Sequence, residues 1–139
     1  MSKALVLFIC THNSSRSQMA EGLLRHQYGD HYEVHSAGTQ PGEVSPYAIR
    51  AMDEIGIDIH DHTSKDISQF LSMNLDTVVT VCDSAREACP FVPASSNVHR
   101  KFEDPRATTG SDEEKIRAFR RVRQEIDLWI QEYFKPAGS

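Results

Sequence analysis

The sequence predicts an α/β protein in which a parallel sheet carries helices on both faces. Three observations lead there. Apolar runs over residues 4–9 and 75–81 have the length and branched content of buried strands. Between and beyond them lie segments whose apolar residues recur at helical spacing. Strands alternating with helices join through right-handed crossovers, which makes neighbouring strands parallel. In such sheets ligands sit beyond the carboxyl ends of the strands.

The elements follow in order. Ala4 to Ile9 is the first buried strand. From Ser15 to Tyr28 the pattern turns helical, with Met19, Leu23 and Leu24 on one face and Gly29 as a stop. Tyr32 to Ser36 is a short strand closed by Ala37-Gly38. Pro46 opens a second helix with Ala48, Ile49, Met52 and Ile55 on one face, and Gly56 ends it. Asp66 to Leu71 forms a short helix, Leu75 to Val81 a second buried strand, and Val98 to Phe102 a weaker one. A long helix spans Asp112 to Phe134, with Ile116, Phe119, Val122, Ile126, Trp129, Ile130 and Phe134 as its apolar stripe. Residues 1–134 read as a single domain and 135–139 as a flexible tail.

Bulk properties narrow the function. A chain of 139 residues builds a core without metal or disulfide staples. A net charge of −5 argues against nucleic acid or a membrane surface as partner. It leaves room for an oxyanion, which backbone N–H groups capture inside an acidic protein. The apolar N-terminal run is too short for a signal core or a membrane span, so a cytoplasmic location is expected. Glycine-rich nucleotide motifs and Cys-x-x-Cys pairs are missing, so no cofactor is expected. His60 and His62 flank Asp61 without a third ligand at metal spacing, and read as loop structure rather than a metal site. Three cysteines in a reducing compartment point to thiol chemistry or inert packing.

The segment Cys10-Thr11-His12-Asn13-Ser14-Ser15-Arg16-Ser17 is the most informative. Placed between a buried strand and a helix, such a loop aims several N–H groups at one point and adds the positive end of the helix dipole. That point suits a tetrahedral oxyanion held by residues 11–16, and the same field favours the Cys10 thiolate as nucleophile. Arg16 offers a planar fork for two anion oxygens. Ser17 is placed to donate to the Cys10 sulfur, and Asn13 to hold an awkward backbone turn. Cys82 also falls just past a buried strand, at the same functional edge.

These residues and the following Gln18-Met-Ala-Glu21, with His35-Ser-Ala-Gly38, Gly56-Ile-Asp-Ile-His-Asp-His-Thr-Ser64, Val78-Val-Thr-Val-Cys82, Cys89-Pro90 and Asp104-Pro105, are similar to the low-molecular-weight protein tyrosine phosphatases. Within that family the chain resembles the thioredoxin-coupled arsenate reductases. The resemblance implies a flavodoxin-like three-layer sandwich with four parallel strands. It also implies that Asp104 is a general acid; on local sequence alone Asp104 reads equally as a turn aspartate before proline.

Phosphatase and reductase part at the other cysteines. Cys82 and Cys89 are seven residues apart, about 10.5 Å if helical. A disulfide needs Cα atoms roughly 4.4–6.8 Å apart, so joining them requires the segment to melt. The resemblance implies a relay in which Cys10 attacks arsenate, Cys82 attacks Cys10, Cys89 attacks Cys82, and thioredoxin or a similar dithiol reduces the final disulfide. The phosphatases carry aromatic residues after Asp-Pro; here Pro105 is followed by Arg106-Ala-Thr-Thr-Gly110, which suits a small inorganic substrate. A phosphatase with idle Cys82 and Cys89, or a redox sensor using the same thiols, are the alternatives. Some relatives bind potassium through an asparagine, a glutamate, a serine and an aspartate. Asn13, Glu21 and Ser36 match these, but Lys65 replaces the aspartate, so no potassium requirement is expected. A monomer is the expected state.

Overall fold

A computed structural model describes residues 3–82 and 92–135. The sheet comprises β1 (Ala4–Ile9), β2 (Tyr32–Ala37), β3 (Thr77–Thr80) and β4 (Ser96–His99). Its order is β2-β1-β3-β4 with every pairing parallel. The helices are α1 (Arg16–Tyr28), α2 (Pro46–Asp53) and α3 (Asp112–Tyr133), with short 3-10 turns at Ile67–Phe70 and Pro105–Ala107. Cys89, and the expected tail beyond Lys135, lie outside the described residues.

Alternation along β1 divides the core. Val6 and Phe8 face one way and pack with Val34, Val79 and the buried sides of α1, α2 and α3. Leu7 and Ile9 face the other way, onto Phe70, Leu75, Val78 and Val92. The three layers are therefore unequal: among the described residues the long helices share one face, and the 3-10 turn Ile67–Phe70 helps cover the other. The α3 stripe is buried as its periodicity predicts, with Trp129 half-buried and stacked on Tyr133.

Three expectations need correction. The last strand is Ser96–His99, not Val98–Phe102. The Arg100 N–H still bonds the Thr80 carbonyl (2.9 Å), but the next bond is from Phe102 N–H to Val81 O (3.2 Å). One side advances two residues while the other advances one, as in a bulge, and the ladder ends. Ile55 is 40% exposed rather than on the buried face. The α2 helix stops at Asp53, and Gly56 at φ 78° turns the chain. Ser15 stands outside α1 as its N-cap.

Candidate active site

The helix starts differ in a way that bears on function. Ser45 accepts from the Tyr47 N–H (3.2 Å) and caps α2, and Ser111 accepts from the Glu114 N–H (3.2 Å) and caps α3. The first turn of α3 also carries Asp112, Glu113 and Glu114, which suit its dipole. At α1 there is neither a side-chain cap nor an acidic first turn. Its positive end is left to the loop at residues 10–15, at the carboxyl end of β1.

The orientation of that loop is fixed from outside. The carbonyl of Thr11 accepts from Gln40 N–H (2.9 Å), that of His12 from Gly42 N–H (3.1 Å), that of Ser14 from Ser45 N–H (3.0 Å) and that of Ser15 from Met19 N–H (2.9 Å). The Asn13 carbonyl accepts from Gln18 Nε2 (3.0 Å) and Ser64 Oγ (2.8 Å). Five successive carbonyls are thus taken by donors; a peptide that turns its carbonyl one way turns its N–H the other, the arrangement an oxyanion needs. Asn13 makes the turn possible at φ 49°, a left-handed conformation that asparagine tolerates. Gly38 is needed beside it: a Cβ there would lie 2.5 Å from Thr11 O and 2.8 Å from Cys10 O. The His12 Nδ1 donates to the Gln40 carbonyl (3.0 Å) and ties the same two segments together.

Hydrogen-bond directions around Cys10 can be deduced. The Glu21 carboxylate only accepts, so the Ser36 hydroxyl donates to it (2.5 Å). Asn13 Nδ2 then donates to Ser36 Oγ (2.9 Å) and to Ser17 Oγ (2.8 Å). The Ser17 proton is thereby aimed at the Cys10 sulfur, 2.8 Å away. Cys10 is 3% exposed, so the Ser17 hydroxyl meets a buried sulfur.

Glu21 is itself met by basic side chains. Arg25 donates to it at 2.6 Å, the Lys65 Nζ lies 3.8 Å away and the His62 Nε2 3.8 Å away. Burial pushes Lys65 and His62 below their usual pKa values, against the pull of Glu21. The site that some relatives fill with potassium therefore carries an ammonium group on the carboxylate, and its residues do not fit the ion.

Arg16 is buried, with Nη1 donating to the Phe102 carbonyl (3.3 Å) and Nη2 3.7 Å from Asp104 Oδ2. Asp104 makes two kinds of contact. Its Oδ1 accepts from the Arg106 N–H (3.0 Å), as a turn aspartate does, while Oδ2 faces the guanidinium. Val81 N–H bonds the Ile9 carbonyl (2.9 Å), so Cys10 and Cys82 leave adjacent strands side by side. Cys10 is a free thiol. Cys82 is fully buried and disulfide-bonded, its partner lying outside the described residues.

Sequence reasoning missed several contributors. Gln18 and Ser64 lie in matched segments and the Phe102 carbonyl outside them, but nothing in the sequence shows their roles, because they act on backbone carbonyls or through one. Tyr47 was also missed. It lines a cavity of about 340 Å³ with Pro105, Arg106, Thr108, Thr109, Gly110, Lys115 and Phe119. No described helix is long and apolar enough to cross a membrane.

The chain is similar to known proteins along almost its whole length. It is 47% identical to the arsenate reductase of Halalkalibacterium halodurans over 134 residues, covering 96% of each chain. A solved arsenate reductase in a phosphate-binding state matches with a TM-score of 0.79 at 32% identity, covering 93% of this chain and 95% of that one. A thioredoxin-dependent arsenate reductase of Corynebacterium glutamicum matches with a TM-score of 0.71 at 32% identity, covering 96% of this chain and 61% of that one. The model of the low molecular weight phosphotyrosine protein phosphatases matches residues 5–137, and the chain belongs to that family.

Proposed function

We propose that the chain is a thioredoxin-coupled arsenate reductase, a single catalytic domain over residues 1–134 that acts as a cytoplasmic monomer. The observation that carries this reading is the disulfide-bonded Cys82 at the end of the strand next to the free Cys10 thiol, since the loop alone would serve a phosphatase equally. In the reaction, the Cys10 thiolate attacks As(V), forming a sulfur–arsenic bond as an arsenate oxygen leaves as water, with Asp104 as general acid on that oxygen. Arg16 and the N–H groups of residues 11–16 hold the oxyanion. The Cys82 thiolate then attacks the Cys10 sulfur. The sulfur–arsenic electron pair stays on arsenic, arsenite leaves, and a Cys10–Cys82 disulfide remains. Cys89 attacks Cys82 and frees Cys10, and a thioredoxin dithiol returns two electrons to Cys82–Cys89. A free Cys10 thiol beside a disulfide-bonded Cys82 suits the state just before thioredoxin acts.

The cavity beside Pro105 favours a secondary activity. Tyr47 supplies an aromatic side chain in the cavity that Pro105 and Arg106 line, next in sequence to Asp104, and the Cys10 loop would hydrolyse small aryl phosphates through a thiophosphate.

The test is arsenate turnover with thioredoxin, thioredoxin reductase and NADPH, wild type beside Cys89→Ser. The expected result is steady NADPH consumption by wild type that stalls in the variant, with aryl phosphate hydrolysis retained in both. Phosphatase activity without arsenate turnover by any thiol donor would overturn the reading.

A further inference from the structure

One residue of the oxyanion loop is out of keeping with its position. Ser15 occupies the N-cap of α1, where a serine oxygen ordinarily accepts from a first-turn N–H. It makes no such bond, although Ser45 and Ser111 do so at the other two helices. The residue is 3% exposed, and its Oγ is buried without a hydrogen-bond partner. No other side-chain nitrogen or oxygen among the described residues is in that condition. A buried hydroxyl without a partner is unfavourable, and native structures rarely keep one without a reason.

Its neighbours suggest the reason. The Ser15 carbonyl is taken by Met19 N–H, and the next residue is the anion clamp Arg16. The Ser15 hydroxyl therefore does not serve as the cap of α1. We infer that the Ser15 hydroxyl is a direct hydrogen-bond donor to the bound tetrahedral oxyanion, joining the loop N–H groups and Arg16. The inference rests on the oxyanion reading of the loop and adds a side-chain donor to it.

The two states of the enzyme should respond to its removal with opposite signs. In the free protein, Ser15→Ala deletes an unsatisfied group, so the thermal midpoint stays level or rises. In the complex it deletes a donor to a charged acceptor, so inorganic phosphate binds roughly tenfold more weakly. Ser15→Cys fills the space with a poor donor and should weaken phosphate similarly. Calorimetric titration of the reduced proteins with inorganic phosphate, with thermal melts of the same samples, reads both. Phosphate binding by wild type with unchanged affinity in Ser15→Ala overturns the inference, and so does wild-type affinity in Ser15→Cys. If wild type does not bind phosphate, the oxyanion reading of the loop fails with it, which is a distinguishable result.

Discussion

The Ser17 hydroxyl lies 2.8 Å from the Cys10 sulfur with its proton turned toward it, because Asn13 already donates to the hydroxyl oxygen. The direction is imposed from Glu21, which obliges Ser36 to donate and leaves both Asn13 protons for Ser36 and Ser17. Ser17→Ala should therefore slow the chemistry with little effect on substrate binding. A hydrogen bond to a charged acceptor suggests a kcat about ten- to a hundredfold lower. Steady-state hydrolysis of an aryl phosphate at fixed pH checks this, and a loss confined to KM would refute it.

Gly38→Ala probes the close approach of β2 to the loop. The added Cβ would meet three backbone atoms, the nearest at 2.5 Å, and none can swing aside as a side chain can. A destabilisation of about 1–3 kcal/mol is expected, together with weakened phosphate binding. Urea denaturation with and without phosphate measures both. A variant as stable as wild type would mean that the loop yields easily.

The ion pairs joining α2 to α3 have a defined pH signature. A hydrogen bond from Arg120, helped by Arg123, holds Glu54 down from 4.5 to about 2. A depressed acid contributes stability that is fully present above its unfolded value and lost as pH falls through the folded one. Glu54→Gln should thus be less stable than wild type at neutral pH, by no more than about 2 kcal/mol for a partly exposed pair. The gap should close between pH 4.5 and 2. Denaturation at three pH values tests it, and a gap that persists at the acid end would disprove the linkage.

Lys65 predicts indifference to potassium. With its ammonium 3.8 Å from Glu21, turnover at constant ionic strength should be the same in KCl and NaCl. Marked activation by KCl would show that the ammonium gives way to the ion.

Tyr47→Ala should separate two substrate classes. It shapes the cavity next to Pro105, so KM for an aryl phosphate should rise about three- to tenfold, the worth of a modest aromatic contact. Arsenate turnover should fall less. Equal losses on both substrates would mean that Tyr47 serves the fold.

Much of this could be read from the chain because the signals are local. The β1 run, the Cys10–Ser17 loop and the α3 stripe each carry their pattern within a few residues, and each appears where expected. Failures arose where distant backbone decides. The β4 boundary depends on a slip against Val81, and the exposure of Ile55 on the turn at Gly56. The sequence shows the turn at Asp104 but not that its second carboxylate oxygen faces Arg16, which comes from a loop 88 residues earlier. The orphaned Ser15 hydroxyl is visible only once the other partners have been assigned.

The outward carbonyls also bear on how such a site could change. Three of them are tied by backbone N–H groups of Gln40, Gly42 and Ser45, in a connection between β2 and α2 that is mostly exposed. Backbone donors are indifferent to the side chains they carry, proline excepted. Apart from Ser45, whose side chain caps α2, this surface segment is therefore free to drift in sequence while the grip on the anion persists. Altering its length, rather than its residues, is how a lineage would retune affinity without touching a single motif residue.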